Sequence, residues 1–168
     1  MACYNGFCLF LNAGNVTNTG FDFSKNQFIS AEKDSQLRKG RLIRRDIVMT
    51  TRGTVGNVAL FNDSVPFNVM RINSGMVLLR DYNNYINPFF FIQIVNCFKI
   101  VSAFLSGSAQ PQLPILSMKN IKIPIPPLAL QNRFADFVKQ VDKTKFVMQQ
   151  GLEKLELTYK ALLQQYYG

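Results

Sequence analysis

The side chains that most often carry out catalysis are absent or badly spaced in this chain. None of its 168 residues is histidine, which excludes Ser-His and Cys-His nucleophile pairs, histidine general bases and histidine-containing zinc sites. Its three cysteines cannot form a four-cysteine zinc site. The chain has neither a GxxxxGK(S/T) phosphate loop nor a GxGxxG turn after a strand. We therefore expect a protein without catalytic residues, metal or cofactor.

One tetrapeptide could suggest chemistry on a nucleic-acid base. Asn87-Pro88-Phe89-Phe90 resembles the N-P-P-F/Y motif with which amino-methyltransferases hold a flipped base, but it lacks the second proline. No glycine-rich cofactor loop precedes it. An asparagine N-cap followed by proline in the first helical turn explains the same residues, so we predict a helix start here.

The charge of the chain favours a polyanionic partner. Lys and Arg number 19 against 10 Asp and Glu, a formal charge of +9, and such an excess attracts nucleic acid first and a membrane surface second. Five cations occur within eight positions, and we expect most of them to contact phosphates: Arg38, Lys39, Arg41, Arg44 and Arg45. A solvated turn and strand edge would explain the same run.

A second group of polar residues is suited to hydrogen bonding with the edges of base pairs. Arg52 lies in a turn whose glycine would let the backbone come close to a groove of DNA. Arginine is suited to hydrogen bonding with the edge of guanine. Serine is permissive and glutamine suits adenine, which makes candidates of Ser106, Ser108, Gln110 and Gln112. Arg71 is a weaker candidate. A purely structural turn or loop remains an equal alternative for these segments.

The elements that must position these residues follow from the hydrophobic pattern. Residues 4–80 contain short apolar runs separated by glycines, which predicts short strands joined by turns. The apolar segment 88–105 is long enough to favour a buried helix. A polar loop follows at 106–112, and the prolines of 121–127 permit only an extended edge segment. We therefore expect a domain over residues 1–127.

From residue 128 onward the apolar spacing becomes regular. No proline occurs in 128–167, and steps of four and three residues form an a/d heptad series broken only at Lys145: Phe134, Val138, Val141, Lys145, Met148, Leu152, Leu155, Tyr159, Leu162 and Tyr166. A helix of about 40 residues is about 60 Å long and needs a partner. The predicted fold class is thus α+β, an irregular mixed β-rich domain with a buried helix, followed by a coiled-coil helix over 128–168. A helix folded back on its own domain is the alternative.

Cysteine usage and hydropathy indicate the compartment. Cys3, Cys8 and Cys97 are odd in number and lie in apolar surroundings, which favours buried free thiols in a reducing cytoplasm. The N-terminus has no basic region before its apolar stretch, and Lys99 interrupts the longest apolar run. Secretion and membrane spanning are not expected.

Five short motifs occur in a fixed order along the chain. They lie at 28–32 (like Y-I-S-x-E), 45–56 (like G-D-I-L then G-x-x-G, with Arg45 for the first glycine), 106–113 (like G-x-x-Q-x-x-L), 123–131 (like I-P-x-P-P-x-x-E-Q) and 162–168. Together with the heptad helix, they resemble one half of the specificity subunit of type I restriction-modification enzymes.

The resemblance implies that DNA recognition and catalysis belong to different subunits. Specificity subunits recognise a bipartite sequence in double-stranded DNA, while methyltransferase subunits, and through them the restriction subunit, carry out the chemistry. Family members usually contain two recognition domains and two helices that pair antiparallel, whereas this chain has one of each. We therefore expect a half-length form that homodimerises through its helix and recognises two identical, inverted half-sites.

Three other functions are alternatives, and the sequence argues against the second and the third. The chain could be a coiled-coil interaction protein or truncated remnant that assembles with methyltransferase subunits without recognising DNA specifically. A single-strand or RNA-binding module would interleave exposed aromatics with basic residues, whereas the aromatics here fall in apolar runs. A metal-dependent nuclease would need a D…(D/E)xK arrangement, which Asp22, Asp34, Asp46 and Asp63 do not form.

Overall fold

The computed structural model describes residues 6–98 and 112–167. Contacts divide the chain into two compact units, Met1–Ile125 and Pro126–Gly168, which are considered separately below. The expected boundary lies two residues later, after Pro127. Both units contain the classes of element that the sequence predicts, strands with a helix in the first and a long helix in the second, and this confirms the α+β class.

Within residues 6–98 and 112–125, the first unit contains eight short strands and three helices. The strands are β1 (Cys8–Leu11), β2 (Val16–Thr17), β3 (Gly20–Phe21), β4 (Phe28–Ile29), β5 (Ile47–Thr50), β6 (Val58–Leu60), β7 (Met70–Ile72) and β8 (Met76–Leu79). The helices are α1 (Ala31–Gln36), α2 (Pro88–Phe98) and α3 (Ile115–Met118), with a 3₁₀ turn at Ala13–Asn15. Helices α1 and α3, of six and four residues, were not expected, because such lengths are too short to show a helical period.

The strands form three small sheets. One has the order β4-β1-β7, with β1 antiparallel to β4 and parallel to β7. A second pairs β2 with β3, and the third has the order β6-β5-β8. In the third sheet Ile47 pairs with Leu79 and Thr50 with Met76. This register places the start of β8 beside the end of β5, and this is what positions the candidate site.

Strand β5 separates two hydrophobic clusters. Successive side chains of a strand point to opposite faces, and Val48 accordingly packs in the cluster around Leu9, Phe61 and Met70. Ile47 and Met49 pack on the other face with partners that include Val95 of α2 and Leu113. Burial on both faces explains why β5 is an uninterrupted apolar run rather than an alternating one.

Helix α2 begins as the sequence predicts. The side chain of Asn87 accepts hydrogen bonds from the backbone N–H of Phe89 at 2.9 Å and of Phe90 at 3.2 Å, which is an N-cap ahead of Pro88. The helix is described as far as Phe98, and the expected continuation to residue 105 lies outside the described residues. The segment 121–127 belongs to none of the sheets in the described part of the chain, so the expectation of an edge segment was wrong there.

The second unit is one helix, α4 (Leu128–Tyr167), of 40 residues. Its first turn is anchored by Gln131, which is buried and donates from Nε2 to the carbonyl of Pro126 at 2.8 Å. Pro127 accepts the first helical bonds at its carbonyl, from Leu130 and Gln131. At 1.5 Å per residue the helix is about 60 Å long. No helix among the described residues is long and apolar enough to cross a membrane.

Candidate nucleic-acid interface

The structure distributes the predicted DNA contacts over two ends of β5. Arg45 and Asp46 precede the strand, while Thr51 and Arg52 follow it. Since a strand rises about 3.3 Å per residue, the four residues of β5 hold the two ends about 13 Å apart. The basic stretch and Arg52 therefore lie at different ends of this strand, and each end is described separately.

At the Arg52 end, backbone hydrogen bonds join three segments. The N–H groups of Thr51 and Arg52 donate to the carbonyl of Gly75 at 2.8 and 3.3 Å, and that of Leu113 donates to the carbonyl of Thr51 at 2.9 Å. Arg52 and Gln112 form an isolated antiparallel bridge, and both residues are exposed. A guanidinium and an amide side chain are thus presented side by side on a fixed backbone.

Gly53 allows the backbone to turn directly after Arg52. Its φ of 75° lies in the left-handed region that glycine adopts without steric cost. The turn is closed by Gly56, whose N–H donates to the carbonyl of Thr50 at 2.9 Å, and by the Thr50 hydroxyl, which donates to the carbonyl of Thr54. The position of Arg52 is therefore determined by main-chain geometry.

Four cations of the basic stretch, which precedes β5, are exposed. Arg38 and Lys39 are exposed, and so is Arg45, whose N–H donates to the carbonyl of Phe61 at 2.8 Å. Arg45 has a φ of 79°, a left-handed conformation that is unusual for a residue with a side chain. Arg41 is 52% exposed in its side chain and lies 3.5 Å from a carboxylate oxygen of Asp34. These four side chains remain accessible to a polyanion.

Arg44, the fifth member of the basic stretch, has a structural role. Its guanidinium donates to the carbonyls of Asn62, Val65 and Phe67 and to the side chain of Asn68. It also lies over the ring of Phe61, 4.2 Å from the centroid. These contacts hold the turn between β6 and β7, and they occupy the donors that a phosphate would need.

Arg71 is also engaged inside the protein. It is 3% exposed, and its Nε donates to Asp34 Oδ1 at 2.7 Å. Its two terminal nitrogens donate to the carbonyls of Asp34 and Lys39. The hydrogen bond from Arg71 lowers the pKa of Asp34, and burial raises the pKa of the neighbouring Cys8 thiol to about 11. Arg71 thus binds α1 to β7 from within, in place of the expected DNA contact.

A second structural arginine was missed from the sequence. Arg80 forms two hydrogen bonds of 2.6 Å with the buried carboxylate of Asp46, and these bonds raise the arginine pKa. They link the end of β8 to the start of β5. Nothing in the sequence distinguishes Arg80 from an exposed arginine, because its partner lies 34 residues away. Of the other predicted contacts, Ser106, Ser108 and Gln110 lie outside the described residues.

The predicted helix-pairing residues form one stripe along α4. Positions spaced by three and four residues share a helix face, and seven of the ten are exposed hydrophobic side chains: Phe134, Met148, Leu152, Leu155, Tyr159, Leu162 and Tyr166. Lys145 is exposed as well, and Val138 and Val141 are half-buried. The stripe is the apolar surface that a second helix would cover.

Comparison with solved structures shows the same fold in two cases. The crystal structure of the HsdS subunit from Thermoanaerobacter tengcongensis matches 94% of this chain and 41% of that chain, with a TM-score of 0.69 and 17% identity. A chain from a structural study of complex assembly and conformational transition of the type I R-M system matches 75% of this chain and 30% of its own length, with a TM-score of 0.58 and 18% identity.

Sequence comparison identifies the family. A protein described as the specificity subunit of the type I restriction enzyme MjaX, from Methanocaldococcus jannaschii, is 24% identical over 159 residues, or 90% of this chain and 37% of that protein. The chain thus spans less than half the length of this curated relative. The family model for the type I restriction modification DNA specificity domain matches residues 3–157. Since this match covers nearly the whole chain, the protein belongs to the family of type I restriction-modification DNA specificity domains.

Proposed function

We propose that this chain recognises a sequence in double-stranded DNA and directs methyltransferase subunits, and through them a restriction subunit, to that site. The observation that carries the proposal is the Arg52 end of the domain, where an arginine and a glutamine stand together on a backbone held by the bonds to Gly75 and Leu113. Base recognition needs such side chains at defined positions. Family membership supports the same function.

The exposed cations divide by their surroundings into two proposed roles. Arg38, Lys39, Arg41 and Arg45 contact phosphates, because they are exposed and bear the positive charge that lowers the cost of approaching DNA. Arg52 and Gln112 contact base edges, guanine for the arginine and adenine for the glutamine. Ser106, Ser108 and Gln110 remain proposed base contacts. Arg44 and Arg71 are set apart, since their guanidinium groups are engaged within the protein.

A second copy of this chain is the proposed partner of α4. The apolar stripe is exposed along most of the 40 residues of the helix, and heptad spacing favours burial against another helix. Two copies paired antiparallel would place two recognition domains in inverted orientation. The proposed DNA target is then two identical half-sites separated by a fixed gap. We also infer a cytoplasmic location, where DNA and the partner subunits would be found.

Selection from a random duplex library tests the proposal. The full chain is bound to the library with and without a candidate methyltransferase subunit, and bound duplexes are sequenced. We expect an enriched sequence with two inverted half-sites, and a dimer by light scattering at micromolar concentration. A library that stays random under both conditions would overturn DNA recognition and favour an assembly protein that does not recognise sequence. A monomer would overturn the proposed pairing of α4.

A further inference from the structure

Two further turns meet the Arg52 turn at the same end of the domain. Asn57, at the end of the Arg52 turn, donates from its side chain to the carbonyl of Val16 at 3.0 Å. The same two turns also come close at Gly53, where an added Cβ atom would lie 4.0 Å from the Cβ of Ala13. Gly75 binds the other side of the turn through its carbonyl. We call residues 13–20, 51–57, 73–75 and 112 together the glycine-turn surface.

The turns at 13–20 and 73–75 are each held in place by hydrogen bonds made by their own side chains. The buried Asn15 donates from its side chain to the carbonyls of Asp22 at 2.9 Å and Lys25 at 2.8 Å, and Thr17 Oγ1 donates to the carbonyl of Gly20 at 3.0 Å. In the other turn, the side chain of Asn73 accepts from the N–H of Gly75 at 2.9 Å. The remaining side chains of these turns are presented on backbone that is already ordered.

Apart from the cationic Arg52, the exposed side chains of this surface are neutral and polar. Besides Arg52 and Gln112, they include Asn18, Thr19, Thr54 and Ser74. Residues 13–20, 51–57 and 73–75 contain no Asp or Glu, so nothing in them repels phosphate. An open cleft of about 540 Å³ lies between the first two turns and is lined by residues such as Asn18 and Thr54. Amide and hydroxyl groups of this kind form hydrogen bonds with the exposed edges of base pairs.

The opposite end of the β6-β5-β8 sheet has a different character. The loop after β8 exposes Tyr82 and Tyr85, and the carboxylate of Asp81 accepts from the backbone N–H groups of Asn83 and Ile86. The glycine-turn surface, whose turns present exposed amide and hydroxyl groups and carry no carboxylate, is therefore the better surface for base edges. The exposed cations at the opposite end keep their proposed role as phosphate contacts.

From this arrangement we propose that Asn18 and Ser74 are further specificity-determining residues, which contact base edges beside Arg52 and Gln112. The proposal rests on the proposed function and assigns new residues to its recognition site. Asn18 has the two-sided donor and acceptor group that suits adenine, whereas the hydroxyl of Ser74 is permissive. The three turns would then contact adjacent base pairs of one half-site, each at a different position.

The test compares Asn18→Ala and Ser74→Ala with the wild-type full chain in the duplex selection. Asn83→Ala is the matched control, because Asn83 is also an exposed asparagine in a turn but lies at the opposite end of the sheet. We expect Asn18→Ala to lose its preference at one base pair by about 5- to 150-fold, the range for one bidentate base contact. Ser74→Ala should relax a different position, and Asn83→Ala should keep the wild-type sequence.

The outcomes separate this inference from the function on which it rests. If the wild-type chain enriches no sequence, DNA recognition itself fails. If the wild type enriches a sequence and both variants enrich the same one with the same preferences, the assignment of Asn18 and Ser74 is overturned. A uniform loss of affinity with unchanged preferences would also overturn it, because it indicates a phosphate contact. Thermal unfolding of each variant identifies a folding defect.

Discussion

Replacement of Arg71 by methionine should destabilise the recognition domain without touching its surface. The arginine is 3% exposed and is bound to Asp34 and to two carbonyls. Removing one partner of a buried ion pair costs about 3–5 kcal/mol, because the other charge stays buried. Arg41 remains 3.5 Å from Asp34 and offsets part of the loss, so we expect about 3 kcal/mol. For a chain of this size, that lowers Tm by roughly 6–12 °C.

Urea unfolding followed by circular dichroism at pH 7 measures this loss, with Arg52→Met as the matched control. Arg52 is exposed, and its replacement should change the free energy of unfolding by less than about 0.5 kcal/mol. A loss below about 1 kcal/mol for Arg71→Met, or equal losses in the two variants, would refute the assignment of Arg71 to the interior.

The same variant has a predicted pH dependence. Because Arg71 lowers the pKa of Asp34 in the folded protein, the wild type gains stability from this pair above the ordinary aspartate pKa. That gain is lost as the pH falls through about 4 toward the lowered value. The difference in free energy of unfolding between Arg71→Met and the wild type should therefore become smaller below about pH 4. A deficit that stays constant from pH 7 to pH 3 would contradict the proposed ion pair.

Three further predictions concern the helix and the basic stretch. Leu155→Asp, on the stripe of α4, should convert the proposed dimer to a monomer in light scattering. Leu157→Asp lies on the opposite face of the helix and is similarly exposed, at 66% against 69%, and should not do so. If both variants behaved alike, the stripe would not be the interface. Arg38→Ala should weaken binding to all duplexes alike and reduce the slope of log K against log salt by about 0.9, and an unchanged slope would exclude Arg38 from phosphate contact. Arg45→Gly should raise the free energy of unfolding by about 0.5–1 kcal/mol. The reason is that Arg45 has a φ of 79°, and glycine relieves more strain in this left-handed conformation than its backbone entropy costs. A variant that is less stable in urea unfolding would show instead that the Arg45 side chain makes stabilising contacts.

Elements of the fold that follow a local sequence pattern were predictable from the sequence. The heptad series predicted α4, the short apolar runs within residues 4–80 predicted short strands such as β5, and Asn87-Pro88 predicted the start of α2. Each of these patterns depends on residues that are close in the chain. The ordered motifs predicted the family, which the family model confirms. Helices α1 and α3 were not predictable because they are too short to show a helical period. The pairing of β1 with β7 was not predictable because it joins residues that are far apart in the chain.

The roles of individual arginines were the least predictable part of the site. Arg71 and Arg52 look alike in the sequence, yet one is buried against Asp34, 37 residues away, and the other is exposed. A single sequence does not show which carboxylate a guanidinium will meet after folding. Asn18 and Ser74 gave no signal for the same reason, because the turns that carry them meet the Arg52 turn only in the folded chain.

The glycine-turn surface bears on how such a domain changes its target during evolution. Its turns are held by main-chain groups and by Asn15, Asn57 and Asn73, whereas the exposed positions contribute little to folding. Exposed substitutions of this kind change stability by only about 0.5 kcal/mol. A few replacements at positions such as Asn18, Arg52 and Ser74 could therefore produce a new sequence preference in a single lineage, while the same framework continues to fold.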